Sequence, residues 1–105
     1  MNINLDEFYK NKSLQEKEEI LDVYLEKTSD MEKQIYKLWD ITEANEQKLL
    51  KDMLSSITIF KISCYESKQE KIHDKDLSIL KMGRFLCTTV YAYLNTKMRE
   101  TGFPQ

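Results

Sequence analysis

Glycine and proline are scarce in this chain. Its 105 residues include two glycines and one proline, which is few for a fold whose strands must turn, whereas Lys, Glu, Leu and other helix formers are abundant. All-β and α/β folds are therefore disfavoured. A chain of this length with 41% apolar residues is typical of one domain with one modest core. We expect residues 1–105 to form a single helical domain.

Long apolar runs and an excess of one charge are also lacking, and the chain has only two cysteines. The 16 basic and 18 acidic side chains are spread along the chain, so no basic arm indicates nucleic-acid binding. No run approaches the roughly 18 to 20 apolar residues of a membrane span, and MNINLDEFYK does not resemble a signal peptide. Cys64 and Cys87 lie in apolar surroundings without metal-type spacing and are expected to be reduced. These features predict a soluble, cytoplasmic protein without a membrane partner.

Capping patterns predict where two helices begin. Ser13 and Glu16 have the spacing of a capping box, in which each side chain satisfies a free backbone N–H at the start of a helix. This pattern predicts a helix over residues 14–28. Ser29 and Glu32 repeat the spacing and predict that a second helix begins immediately afterwards.

One apolar stripe runs through the middle of the chain. At the helical period its members stay on one face from Met31 to Cys64, and an unbroken helix of that extent would be on the order of 60 Å long. The polar segment 42–47 interrupts the stripe, and a break there would give four helices instead of three. The stripe comprises Met31, Ile35, Leu38, Trp39, Leu49, Leu50, Met53, Ile57, Phe60 and Cys64. The expected fold is all-α, a small helical bundle of three or four helices with a long central helix.

The stretch SSITIFKISCY, residues 55–65, could be a buried strand or part of that helix. Its flanks are helix-forming and contain neither glycine nor proline, which favours the helix. Ile57 and Phe60 continue the apolar stripe, whereas Ile59 and Ile62 project to the opposite side. Since a helix that is apolar on two sides needs cover on two sides, this segment either runs through the middle of a bundle or meets another chain.

The last helix is expected over residues 77–100. Asp74 or Asp76 can cap its start, and Gly102 can take the left-handed conformation that ends a helix. Gly83 lies near the centre of the wide apolar face of this helix. A close helix crossing that leaves no room for a side chain explains this glycine better than a bound ligand does.

Catalytic and metal-binding patterns are weak. Glu66, Glu70 and His73 share one side of a helix at the spacing found in paired-metal sites, but such a site needs a second motif and the chain has one histidine. Glycine-rich phosphate loops are absent. We therefore predict no catalytic residue, no metal and no cofactor, and we expect that the chain is not an enzyme.

The leading functional hypothesis is a small intracellular protein-binding factor of the adaptor, inhibitor, antitoxin-like or immunity type. It rests on elimination and on aromatic residues that exceed the needs of a small core, since Tyr, Trp and Met are enriched at interfaces. The alternative for these rings is that they lie flat at the margins of the core. The predicted partner-binding residues are Tyr36, Leu54, Ile59, Ile62, Tyr65, Phe85 and Tyr91. Because Ile59 and Ile62 lack cover, a homodimer is also expected.

A second hypothesis is a small nucleotide- or nucleic-acid-binding helical module. Arg84 and Tyr91 share one side of the last helix, where a base could stack beside a cation. The candidate ligand-binding residues are Lys81, Arg84, Lys97 and Arg99. The balanced net charge argues against nucleic acid, and a steep salt dependence of binding would favour it.

Overall fold

The computed structural model of the protein describes residues 5–70 and 73–102. Over these ranges the chain is helical and contains no strand, which confirms the all-α bundle. The helices are α1 (Leu5–Lys10), α2 (Leu14–Trp39), α3 (Ala44–Glu70), α4 (His73–Phe85), a π-helical segment (Leu86–Val90) and α5 (Tyr91–Glu100). α4, the π-helical segment and α5 follow one another without a loop, so they form one continuous rod, which we call the third rod. The bundle therefore consists of three long rods, namely α2, α3 and the third rod, together with the short α1.

The start of α2 has the predicted capping box. The Ser13 hydroxyl accepts a hydrogen bond from the Glu16 backbone N–H at 3.1 Å, and the Glu16 carboxylate accepts one from the Ser13 N–H at 3.1 Å. The prediction that a second helix begins at Ser29 is wrong, because α2 continues through Ser29 to Trp39. The Ser29 hydroxyl donates to the Leu25 carbonyl at 3.3 Å, so it bonds within its own helix and caps nothing.

The apolar stripe is divided between two helices. α2 ends at Trp39 and α3 begins at Ala44, so the helix is not continuous, and the break that the sequence left open occurs at residues 40–43, overlapping the start of segment 42–47. The Gln47 side-chain amide donates to the Trp39 carbonyl at 2.7 Å, which satisfies one free carbonyl at the end of α2 from the first turns of α3.

Helices α2 and α3 are antiparallel, so the part of the apolar stripe on α2 packs against the part on α3. Lys68 of α3 lies 3.0 Å from Asp22, and Lys61 of α3 binds Glu32 further along α2. The fully or almost fully buried apolar residues are Tyr9, Leu21, Met31, Ile35, Leu38, Leu50, Ile57, Phe60, Cys64, Ile79, Leu80, Leu86, Val90, Leu94 and Met98. Leu49 is the stripe residue that departs most from the prediction, since 41% of it is exposed.

Gly83 lies where α4 meets the other two rods. A Cβ atom at this position would come within 2.5 Å of Tyr24 Cδ2 on α2 and 2.9 Å of Phe60 Cε1 on α3. Such distances are too short for real contacts, so the two rings occupy the space that a side chain would need. This confirms the predicted close helix crossing.

The third rod begins earlier than predicted and ends as predicted. α4 starts at His73, so Asp74 and Asp76 lie inside the helix and the prediction that one of them caps it is wrong. α5 ends at Glu100, and Gly102 follows with a φ of 80°. This left-handed conformation is the one that glycine adopts at low cost after a helix.

The π-helical segment was not expected from the sequence. Within it the Tyr91 N–H donates to the Leu86 carbonyl five residues earlier, one residue further than in an α-helix. Leu86 and Val90 in the segment, and Leu94 and Met98 in α5, are all buried. The widened turn therefore keeps side chains four residues apart facing the core.

The bundle is flat and has an extensive surface. Its principal extents are 42 × 34 × 22 Å and its radius of gyration is 15.2 Å, compared with about 13 Å for a compact domain of this length. Its accessible surface is 7154 Å², whereas a compact monomer of 12.6 kDa has about 6,200 Å². Among the described helices, none has both the length and the apolar content of a membrane span.

A candidate protein-binding surface

The middle of α3 exposes apolar side chains on the side away from the core. Ile59 is 55% exposed and Ile62 is 53% exposed, whereas Ile57 and Phe60 are fully buried. The helical period places the two pairs on opposite sides of α3. The break at residues 40–43 could have folded the chain over this second face, yet both isoleucines stay more than half exposed.

Helix α4 extends this apolar area. Phe85 is 57% exposed and stands with Ile59 at the rim of a small pocket of about 140 Å³, which both helices line. The pocket lining consists of Ser56, Ile59, Met82, Phe85 and Leu86. We use the name α3–α4 surface for Ser55, Ser56, Ile59, Ile62, Met82 and Phe85.

The hydroxyl groups around Ile59 are already hydrogen-bonded. Ser55, Ser56 and Thr58 donate to the carbonyl four residues earlier in α3, at 3.1, 3.1 and 3.0 Å. A hydroxyl that bonds its own helix has no donor left to lose when a partner covers it. These residues therefore add small side chains that can be buried in a contact at low desolvation cost.

This part of α3 is almost free of charge. Residues 53–65 include one charged side chain, Lys61, in a chain of which 32% is charged. Lys61 binds Glu32 on α2, so its charge is compensated within the bundle. Since the centres of protein interfaces are depleted in charge, the α3–α4 surface has the composition of an interface more than of an ordinary helix exterior.

Three other predicted partner-binding residues lie around α2 and α3. Tyr36 on α2 is 62% exposed and Tyr65 on α3 is 66% exposed, as expected for rings outside the core stripes. Leu54 is partly buried and packs against the core. None of the three lines the pocket between Ile59 and Phe85.

Tyr91 occupies a different site. The Lys27 ammonium lies 5.3 Å from the centre of its ring, in a cation–π contact between α2 and α5. Tyr91, Lys27, Cys87 and Asn95 share a second pocket, of about 340 Å³. The structure therefore brings Ile59 and Phe85 together and separates Tyr91 from both.

Two of the four candidate ligand-binding cations are paired with carboxylates. Lys81 of α4 binds Asp6 of α1. Lys97 of α5 lies 2.9 Å from Glu46 of α3, and this hydrogen bond raises the pKa of Lys97. Both lysines therefore join helices of the bundle.

The two arginines lie far apart along the third rod. Arg84 is partly buried in α4, whereas Arg99 is exposed in α5 and donates to the Thr96 hydroxyl at 3.3 Å. The 15 residues between their positions correspond to about 22 Å along a helix. The four cations thus form no single cluster.

Thiol and metal chemistry have little support among the described residues. Cys64 and Cys87 are free thiols, and burial raises the pKa of Cys64 to about 11 and also raises that of Cys87. Within residues 5–70 and 73–102, no three His, Cys, Asp or Glu side chains are placed to hold a metal ion. The side chains of Glu70 and His73, part of the weak metal-site pattern, lie outside what the structure describes.

Two features of the surface were missed by the sequence analysis. Met82 is partly buried and Leu86 is buried, and both also line the pocket beside Phe85, which their helical positions do not indicate. The depletion of charge over residues 53–65 was visible in the sequence and would have indicated the same region. The pocket itself depends on how α3 and α4 pack, which no local pattern specifies.

Comparison with known proteins finds no similarity for this chain. No protein-family model, curated protein or solved structure matches it. The interpretation of the α3–α4 surface therefore depends on its own residues.

Proposed function

We propose that this chain is a small protein-binding factor that acts through the α3–α4 surface. The observation that carries the proposal is the apolar pocket framed by Ile59 and Phe85, both more than half exposed. Contiguous exposed apolar surface of this kind typically marks an interaction site. A pocket beside exposed apolar side chains can receive one anchoring side chain of a partner, the usual centre of binding energy in an interface.

The proposed role requires binding and no chemistry. An adaptor, an inhibitor, an antitoxin-like factor or an immunity-type factor acts by covering or recruiting its target, and a rigid bundle of long helices provides a fixed surface for this. The proposal includes a cytoplasmic location, which the free thiols of Cys64 and Cys87 support.

The pairing of the basic residues favours a protein partner over nucleic acid. Phosphate binding needs cations whose charge is available, whereas Lys81 and Lys97 each bind a carboxylate of the bundle. The α3–α4 surface adds no further cation, since Lys61 turns to Glu32.

Affinity capture from the native host tests this function with three baits. The wild type is compared with Phe85→Glu, which places a charge at the rim of the pocket, and with Val23→Glu. Val23 is the matched control because it is 50% exposed on α2. We expect one protein to be retained by the wild type and by Val23→Glu and to be lost with Phe85→Glu, while circular dichroism shows all three baits folded.

Two outcomes contradict the proposal. One is capture of the same proteins by the wild type and by Phe85→Glu. The other is a bound fraction that disappears after nuclease treatment and falls steeply with salt, which would assign the chain to nucleic acid.

A further inference from the structure

We infer that α1 is a strap that detaches from the bundle as a unit while the three rods stay folded, and that its release opens a notch suited to a phenol ring. The notch is the space that the fully buried side chain of Tyr9 fills in the closed form. Among the described residues, none of α1 lines the pocket beside Phe85. The inference is therefore independent of the proposed function.

Helix α1 is too short to be stable without its contacts to the bundle. It has six residues, whereas isolated helices shorter than about 12 to 15 residues are marginal in water. Of the side chains of residues 6–10, Tyr9 is the one that is buried, and the neighbouring Phe8 is 45% exposed. The ion pair between Asp6 and Lys81 of α4 is nearly half exposed on both sides, and exposed pairs stabilise weakly. The buried part of this attachment therefore comes from one ring.

The junction between α1 and α2 allows the strap to move without disturbing α2. Residues 11–13 between the two helices are not helical. Helix α2 begins with its own capping box of Ser13 and Glu16, which satisfies the start of the helix without any group of α1. The three rods also share the rest of the buried core. Segments with few buried contacts open separately from such a core, so α1 can open while the rods stay packed.

The base of the notch belongs to the bundle and stays in place when α1 leaves. The phenol oxygen of Tyr24, 3.0 Å from that of Tyr9, is carried by α2, and the Tyr24 ring packs beside Gly83 of α4. Helix α1 lies against α4, so α2 and α4 both border the space that Tyr9 fills. Release of the strap thus leaves a cleft with a hydroxyl at its base.

The chemistry of this cleft matches a phenol. An aromatic ring is stabilised there by burial, and its polar tip by a hydrogen bond to the Tyr24 hydroxyl, as both are for Tyr9. A ring without a hydroxyl gains only the burial. The closed strap therefore blocks the notch, and another phenol has to compete with Tyr9 for it.

Limited trypsin digestion of the full chain tests the detachment. Lys10 and Lys12 lie at the junction, whereas Lys51 is exposed within α3. Cleavage of a folded protein follows the population of the opened segment. We expect cleavage after Lys10 and Lys12 to be at least about 10-fold faster than after Lys51. Equal rates at the three sites would mean that α1 opens only when the whole chain unfolds, which overturns the inference.

Tyr9→Ala tests the anchor. It should accelerate cleavage at the junction by at least about 10-fold more than cleavage after Lys51, because the strap loses its buried ring. Phe8→Ala is the matched control, since Phe8 is the neighbouring ring on the same helix and is exposed; its cleavage should stay close to that of the wild type. Equal acceleration by the two variants contradicts the anchor. Equal acceleration at Lys51 and the junction in Tyr9→Ala would place Tyr9 in the cooperative core and contradict the strap.

4-Methylphenol tests the notch itself. In Tyr9→Ala it should raise the midpoint of thermal unfolding progressively with its concentration, because a ligand that binds the folded form stabilises it. Toluene, the same molecule without the hydroxyl, should do so less, since it offers the Tyr24 hydroxyl no partner. The wild type is the control, because Tyr9 already fills the notch. Equal responses of the wild type and Tyr9→Ala, no response in Tyr9→Ala, or equal effects of the two compounds contradict a phenol-binding notch.

Discussion

The phenol oxygen of Tyr9 lies 3.0 Å from the phenol oxygen of Tyr24. Tyr9 belongs to the last turn of α1 and is fully buried, so this hydrogen bond joins the short first helix to α2. The ring of Tyr24 also fills the space beside Gly83. One side chain thus connects α1, α2 and α4.

Tyr24→Phe should lower the free energy of unfolding by about 1 kcal/mol, because it leaves the buried Tyr9 hydroxyl without its partner. Adding Tyr9→Phe should cost little more, since both ends of the bond are then gone. Urea unfolding measures the four members of this cycle. Tyr65→Phe, on an exposed ring, is the control and should be neutral. Equal stability of Tyr24→Phe and the wild type would show that the bond contributes nothing.

The same pair predicts how stability changes at alkaline pH. Burial, and then the hydrogen bond to Tyr9, raise the pKa of Tyr24. Above pH about 10 the unfolded chain loses the tyrosine proton while the folded chain keeps it, so stability falls as pH rises. Unfolding midpoints measured between neutral and strongly alkaline pH should fall less steeply in Tyr24→Phe. Parallel curves for the two proteins would contradict the shift.

Two serines with the same local pattern should respond differently to alanine. Ser13→Ala removes the cap of α2 and should lower the free energy of unfolding by about 1 kcal/mol. Ser29→Ala should be neutral or slightly stabilising, because Ser29 is exposed inside α2 and alanine is the better helix former. Chemical denaturation measures both. A larger loss in Ser29→Ala would mean that a helix begins at Ser29 after all.

Gly83→Ala should destabilise the protein by about 1 to 3 kcal/mol through overpacking. The loss occurs even though alanine favours an exposed helix by up to about 1 kcal/mol over glycine, because the new Cβ meets the rings of Tyr24 and Phe60. Thermal and urea unfolding test this. Ser78→Ala, at an exposed position of α4, is the control without a crossing helix. A gain in stability in Gly83→Ala would disprove the tight crossing.

The two thiols should react at different rates at neutral pH. Cys64 is 1% exposed, and burial raises its pKa to about 11 despite the positive charge of Lys68 one turn later. Cys87 is only partly buried and should be labelled first by iodoacetamide, with Cys64 following when the protein unfolds. Mass spectrometry assigns each site. Cys87→Ser should abolish the early phase of labelling. Equal labelling rates for the two cysteines of the wild type would contradict the burial of Cys64.

Local sequence patterns predicted the helices better than their ends. The spacing of Ser13 with Glu16 is the same as that of Ser29 with Glu32, but only the first pair caps a helix. At Ser13 the preceding residues are not helical, whereas Ser29 follows an established turn whose Leu25 carbonyl accepts its hydroxyl. A capping box describes four residues and carries no information on whether a helix is already in progress.

The proposed binding surface was predictable in part. The helical period alone places Ile59 and Ile62 opposite Phe60, because that relation belongs to one helix. The meeting of Ile59 with Phe85, and the separation of Tyr91 from both, depend on the packing of α3 against the third rod. Gly83 indicated the tight crossing that sets this packing, but the sequence alone does not specify which rings fill the space.

The π-helical segment also makes chain length adjustable at one point of the fold. Steps of four residues drift by about 40° each around an α-helix, so Leu86 and Met98 would diverge by about 120° without the wider turn. The segment accommodates one more residue than an α-helical turn, and Thr88 and Thr89 within it are exposed. Deleting one threonine is therefore expected to convert the π-helical segment into an ordinary α-helical turn. An inserted residue would have to be accommodated by a turn that is already widened by one residue. The fold can lose a residue at this point more easily than it can gain one.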